Sequence, residues 1–155
     1  MKILPRELVL DYDRWICGKP HIADNLRNEQ CRKNNKDNFL GEGSTKLLNE
    51  KGYQCCLGQF VEQAGISKED MLGLGTPSDF VLRSKGDCSN VVKSFAKVFD
   101  NWRWTVNTSL AEDAISINDD RNTTVREKTK ELKELFSTYG YKIKFVNFPK
   151  HLKVR

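Results

Sequence analysis

Two adjacent cysteines stand in the segment Cys55-Cys56-Leu57-Gly58, and a thiolate is among the strongest nucleophiles a side chain can supply. To act as one, a cysteine needs a lowered pKa, which a helix N-terminus or a nearby cation provides. The apolar residues Cys55, Cys56, Leu57, Phe60, Val61 and Ala64 predict a helix that starts near Gln54 and ends at Gly65. The pair therefore falls near a helix start. His21 and His151 are the only histidines available as a base, and neither has the neighbours of a catalytic one. Core packing, the common fate of free cysteine, is the competing assignment. Cys17 and His21 are four residues apart, as two zinc ligands on one helical face would be. Pro20 interrupts such a helix, and no Cys-x-x-Cys pair completes a ligand set.

Oxygen and glycine motifs add little. Asn118-Asp119-Asp120 could ligate a divalent cation, but the EF-hand spacing and its closing glutamate are missing. Asn118 to Asn122 read instead as a turn-rich linker. Gly41-Glu42-Gly43-Ser44 and Gly73-Leu74-Gly75 lack the Gly-Lys-Ser/Thr of a phosphate loop. The residues thus nominate no catalytic set, no metal site and no cofactor.

Charge is more informative. The net charge is +5, and it is unevenly placed. Residues 121–155 hold ten Lys/Arg against three Glu, whereas residues 1–120 hold sixteen Lys/Arg against eighteen acids. Such asymmetry points to an anionic partner. Arg126, Lys130, Lys133 and Lys144 are the candidate anion contacts. Trp102 and Trp104 stand beside Arg103, and Phe145 and Phe148 beside Lys144 and Lys150. That interleaving suits base stacking with phosphates held by cations, although aromatics at this density are more often core.

These residues need a scaffold, and 155 residues with 38% hydrophobic and 30% charged content suit a single domain, residues 1–155. No run of eighteen apolar residues spans a membrane. The N-terminus is not a secretory signal. Five cysteines, an odd number with two adjacent, disfavour a disulfide framework and suit a reducing cytosol. Thr124-Val125-Arg126-Glu127 is a capping box. It opens a helix that carries Val125, Leu132, Leu135, Phe136 and Tyr139 on one face. Gly140 ends it, and Tyr141, Ile143 and Phe145 then alternate with lysines as a strand does. Ser67 begins a short turn bearing Met71 and Leu72. Further helices are expected from residue 89 or 90 to Asp100 and after Ser109. Residues 7–17 read as a helix burying Leu8, Tyr12, Trp15 and Ile16. Residues 27–46 read as a long exposed loop and 149–155 as a basic tail. The expected fold is α+β, with four to five helices and a small sheet that includes a C-terminal strand.

The run Gly52-Tyr53-Gln54-Cys55-Cys56-Leu57-Gly58, preceded by Trp15 and followed by Ile117-Asn118-Asp119, resembles a group of small phage and prophage proteins. These share a Cys-Cys-Leu-Gly helix and a later Leu-Asn-Asp segment. Here Ile117 replaces the leucine, and Asp120 is an extra acid. The resemblance implies a non-enzymatic accessory protein of a bacterial host cytosol. It would bind a host protein or a small anionic, nucleotide-like signal, and could counteract host defence. A nucleic-acid-binding accessory protein using the C-terminal basic face, and a cysteine- or zinc-dependent enzyme, are the alternatives.

Overall fold

Leu8 and Leu10 are fully buried, and Glu7, Val9 and Asp11 between them face outward or sideways. The period is two, so this segment is a strand. The structure, a computed structural model, describes residues 6–18, 36–63, 65–75 and 110–152. Strand β1 is Glu7–Asp11, and it pairs in parallel with β2, Lys142–Val146, with Glu7 opposite Lys142 and Asp11 opposite Val146. The helix expected over 7–17 is therefore corrected. Leu8, Tyr12 and Ile16 fit a helical spacing, but Leu8-Val9-Leu10 also fits a strand, and pairing with a segment from the far end of the chain selects the strand. A single 3-10 turn, Tyr12–Arg14, follows β1. Trp15 and Ile16 are buried as expected, and Tyr12 is only half-buried.

Four α-helices lie among the described residues: α1, Cys56–Gln63; α2, Lys68–Met71; α3, Leu110–Asp119; and α4, Val125–Thr138. Together with the two-stranded sheet they form the expected α+β arrangement, C-terminal strand included. The unit α4–Gly140–β2 follows the sequence closely. Thr124 Oγ1 accepts from Glu127 N at 3.1 Å, and Glu127 Oε2 accepts from Thr124 N at 3.0 Å, which completes the capping box. At the other end Gly140 has φ +84°. Tyr141 N donates to Phe136 O and Gly140 N to Ser137 O, at 2.9 and 3.0 Å. This is the paired closure that satisfies the last helical carbonyls. Phe136 and Tyr141 then meet edge to face at 6.4 Å.

Helix α1 lies along β1 and supplies what a third strand would. Gln63 Oε1 accepts from Val9 N and its Nε2 donates to Val9 O, both at 2.7 Å. One helical turn earlier, Gln59 treats Asp11 in the same way, at 2.7 and 3.0 Å. Two side-chain amides, four residues apart on one helical face, thus satisfy alternate peptide groups of an edge strand.

The core joins both strands, α1, α3 and α4 through Leu8, Leu10, Phe60, Leu110, Ala114, Leu132, Phe136 and Ile143. Of the 27–46 stretch, residues 36–46 are described. They pack more closely than an exposed loop would: Phe39 is buried, and Leu40 bridges Cys17 in both directions. Phe148 is buried among Tyr12, Trp15 and Phe145. The start of the basic tail is a 3-10 turn, Lys150–Leu152. The helix expected to end at Asp100, and the pair Trp102 and Trp104, lie outside the described residues.

Candidate functional site

The Cys-Cys-Leu-Gly segment forms the start of α1, and it is built into the core. Cys55 Sγ accepts from Gly58 N at 3.4 Å, so the thiol caps the helix in place of the usual hydroxyl or carboxylate. Cys56 N donates instead to Asn118 Oδ1 at 3.1 Å. The same oxygen accepts from Trp15 Nε1 at 2.7 Å, and Asn118 Nδ2 donates to Ile16 O at 3.0 Å. Gly18 N donates to the Asn118 carbonyl at 2.7 Å. Asn118 is 1% exposed and lies inside α3, which runs on through Asp119. The linker expected from Asn118 to Asn122 is therefore corrected to residues 120–124. Asn118 is a buried junction that ties together three segments distant in sequence.

Trp15, the Cys-Cys-Leu-Gly run and Asn118, singled out together from the sequence, meet at this junction. Trp15, Cys56 and Asn118 share hydrogen bonds, and Gly58 lets α1 touch the backbone of Leu47. A Cβ on Gly58 would stand 2.6 Å from the Leu47 carbonyl carbon and 2.8 Å from its Cα, and closer still to its oxygen. Only glycine fits there.

Burial raises both thiols of the pair. Cys55 is pushed up to about 12 from 9.0, and Cys56 is also held well above 9.0, chiefly by desolvation. A nucleophile requires the opposite shift, so this geometry suits packing. We expect both thiols to stay unmodified by iodoacetamide at neutral pH until the chain is denatured. Rapid labelling of either in the folded protein would contradict this. The same shifts set an alkaline limit. The thiols are protonated in the folded chain and ionise near 9.0 once unfolded, so their stabilisation is complete below pH 9 and is lost as pH climbs toward 12. Tyr12 and Tyr141, raised by desolvation, add to that slope, and Lys128, lowered by desolvation, opposes it. Urea midpoints should therefore fall from pH 9 upward, and less steeply in Cys56→Ala.

Lys128 is the core's unexpected cation. Its side chain is fully buried, and Nζ donates to Thr123 O at 2.5 Å, Thr123 Oγ1 at 3.0 Å and Asn38 O at 3.3 Å. All three ammonium protons are used on oxygen. They fasten the first turn of α4 to the 36–40 segment, and this lysine is not available to a ligand.

Other cations gather elsewhere. A cleft of about 520 Å³ opens where α4 turns into β2, lined by Arg6, Glu7, Lys133, Ser137, Tyr141 and Lys142 among others. That volume suits a small molecule, whose sites run to roughly 300–1,000 Å³. Among the described residues, three cationic residues and one carboxylate line it. The Arg6 guanidinium lies 5.7 Å from the centre of the Tyr141 ring, stacked as arginine commonly is on an aromatic. A helix C-terminus carries partial negative charge that would repel an anion. Here the Phe136 and Ser137 carbonyls are occupied by the Gly140 and Tyr141 amides, which blunts that repulsion.

Of the residues nominated from sequence, Lys133 lines this cleft. Arg126 and Lys130 are exposed on the same face of α4, four and three residues apart in turn. Lys144 is exposed on the outer face of β2, one step beyond Lys142, so it lies on the sheet and away from that helix face. Phe145 and Phe148 belong to the aromatic core cluster and are no stacking platform. Sequence reasoning missed Arg6 and Lys142 as site residues, because only the parallel pairing of β1 with β2 places them together.

No family model, curated protein or solved structure matches this chain. No group of three or more metal-ligating side chains occurs among the described residues, and no helix there is long and apolar enough to cross a membrane.

Proposed function

We propose that this chain is a non-enzymatic, phage-type accessory protein that binds a small anionic, nucleotide-like ligand in the cleft between Arg6, Lys133 and Lys142. The observation that carries the reading is the three-to-one excess of cations, among the described residues, around a cavity of ligand size. Guanidinium and ammonium groups give charge-assisted hydrogen bonds to phosphate oxygens, and the Arg6–Tyr141 stack holds one of them in place. The resemblance to phage proteins supplies the setting, a bacterial host cytosol, with a host signal as the ligand. The motif behind that resemblance acts on this reading as scaffold: it fixes α1 and α3 so that β1 and β2 can pair and form the cleft floor.

Native mass spectrometry of the purified protein beside its denatured mass tests the reading. The expected result is a mass increment that matches a phosphorylated metabolite, or one that appears when a nucleoside diphosphate is added and fades as salt is raised. A bare protein with no increment at saturating nucleotide would overturn it and turn attention to a host protein as the partner.

A further inference from the structure

We infer that the cleft is one end of a longer anion track, and that its ligand carries a chain of two or more phosphates; the inference rests on the cleft being an anion site. Arg126, Lys130 and Lys133 follow one another at four and three residues along α4, so they share one face of the helix. Arg126 and Lys130 are exposed, and Lys133 is half-buried at the cleft. At 1.5 Å per residue the three span about 10 Å of the helix axis. The cleft adds Lys142 and Arg6 at the far end. A single phosphate would engage the cleft and leave Arg126 and Lys130 idle, whereas a linear phosphate chain meets cations along its whole length.

The track is also bounded. Glu127, Glu131 and Glu134 are exposed on the adjacent face of α4, each one residue after a member of the cationic row. Glu7 stands at the cleft end. A nucleic-acid duplex broad enough to cover both faces of α4 would lie against these carboxylates as well as the cations, and like charges there would oppose it. The arrangement thus favours a compact polyphosphate-bearing small molecule over an extended polymer.

Titration of inorganic phosphate, pyrophosphate and tripolyphosphate into the intact protein tests this, beside a variant carrying Arg126→Gln and Lys130→Gln. Both positions are exposed, and glutamine keeps the helix. Affinity should rise by about tenfold or more from phosphate to tripolyphosphate, the gain of one further charge-assisted contact. The variant should lose that rise while binding phosphate as the unaltered chain does. Equal affinities for all three anions, or a rise that survives in the variant, would overturn the track and leave the cleft intact. No binding of any of them would overturn both. Tighter binding of an oligonucleotide than of tripolyphosphate, lost in the same variant, would replace the small ligand with nucleic acid.

Discussion

Replacing Asn118 with leucine is expected to cost about 3–6 kcal/mol, enough to unfold much of the chain near physiological temperature. The substitution strips partners from the Trp15 indole N–H, the Cys56 amide and the Ile16 carbonyl at once. Each buried polar group left without a partner costs about 1–3 kcal/mol, and whole-domain stabilities are only about 5–15 kcal/mol. Leucine has as many side-chain heavy atoms as asparagine, so no cavity is left, and its bulkier methyl groups add to the cost by overpacking. Urea denaturation followed by tryptophan fluorescence checks it, because Trp15 reports on the junction itself. A variant as stable as the parent would show that the junction is dispensable and that its residues serve some other end.

The second large effect is expected for Gly58→Ala. A methyl group there meets the Leu47 peptide at distances that no real Cβ tolerates, and the obstacle is backbone, which cannot rotate aside. Helix α1 would have to withdraw. In doing so it would lift Gln59 and Gln63 from the edge of β1 and Cys56 from Asn118. Overpacking a core typically costs about 1–3 kcal/mol, and a clash against a fixed peptide belongs at or above the top of that range. We expect a loss of about 3 kcal/mol or more, measured as a lowered urea midpoint. The gain in helix propensity from glycine to alanine, about 1 kcal/mol, works the other way and is too small to rescue the fold. An unchanged or raised midpoint would mean that α1 and the 46–48 segment are less closely apposed.

How much of this could be read from sequence depends on how local each feature is. The α4–Gly140–β2 unit was legible because its capping box, helical period, glycine closure and strand alternation all lie within twenty-odd consecutive residues. Ser67 was legible as a cap for the same reason. The N-terminal strand was not. Leu8 and Leu10 fit a strand, Leu8 and Tyr12 fit a helix, and the deciding partner is at the other end of the chain. Lys128 carries no local signal of burial, because nothing nearby announces that Asn38 and Thr123 will offer it oxygens. Asn118 looked like a turn former, since asparagine before two aspartates usually is. Its role emerges only when Trp15 and Cys56 arrive beside it. The cleft divides in the same manner: Lys133 was nominated from a basic run, whereas Arg6 and Lys142 become neighbours through strand pairing. The short apolar run Leu8-Val9-Leu10, bounded by Glu7 and Asp11, is the signal that could have placed Arg6 at a strand start.

Calorimetric titration of a nucleoside diphosphate into the parent chain and into a Lys133→Glu, Lys142→Glu variant tests the central claim most directly. Both lysines lie at the cleft, outside the Asn118 junction, and a cooperative urea transition of the variant checks that it keeps its fold. The expected result is saturable binding to the parent and a loss of at least about a hundredfold in the variant, since each charge-assisted contact is worth about 1.5–3 kcal/mol. Equal affinity in a folded variant, or no binding to either protein, would contradict the assignment of this cleft as the ligand site.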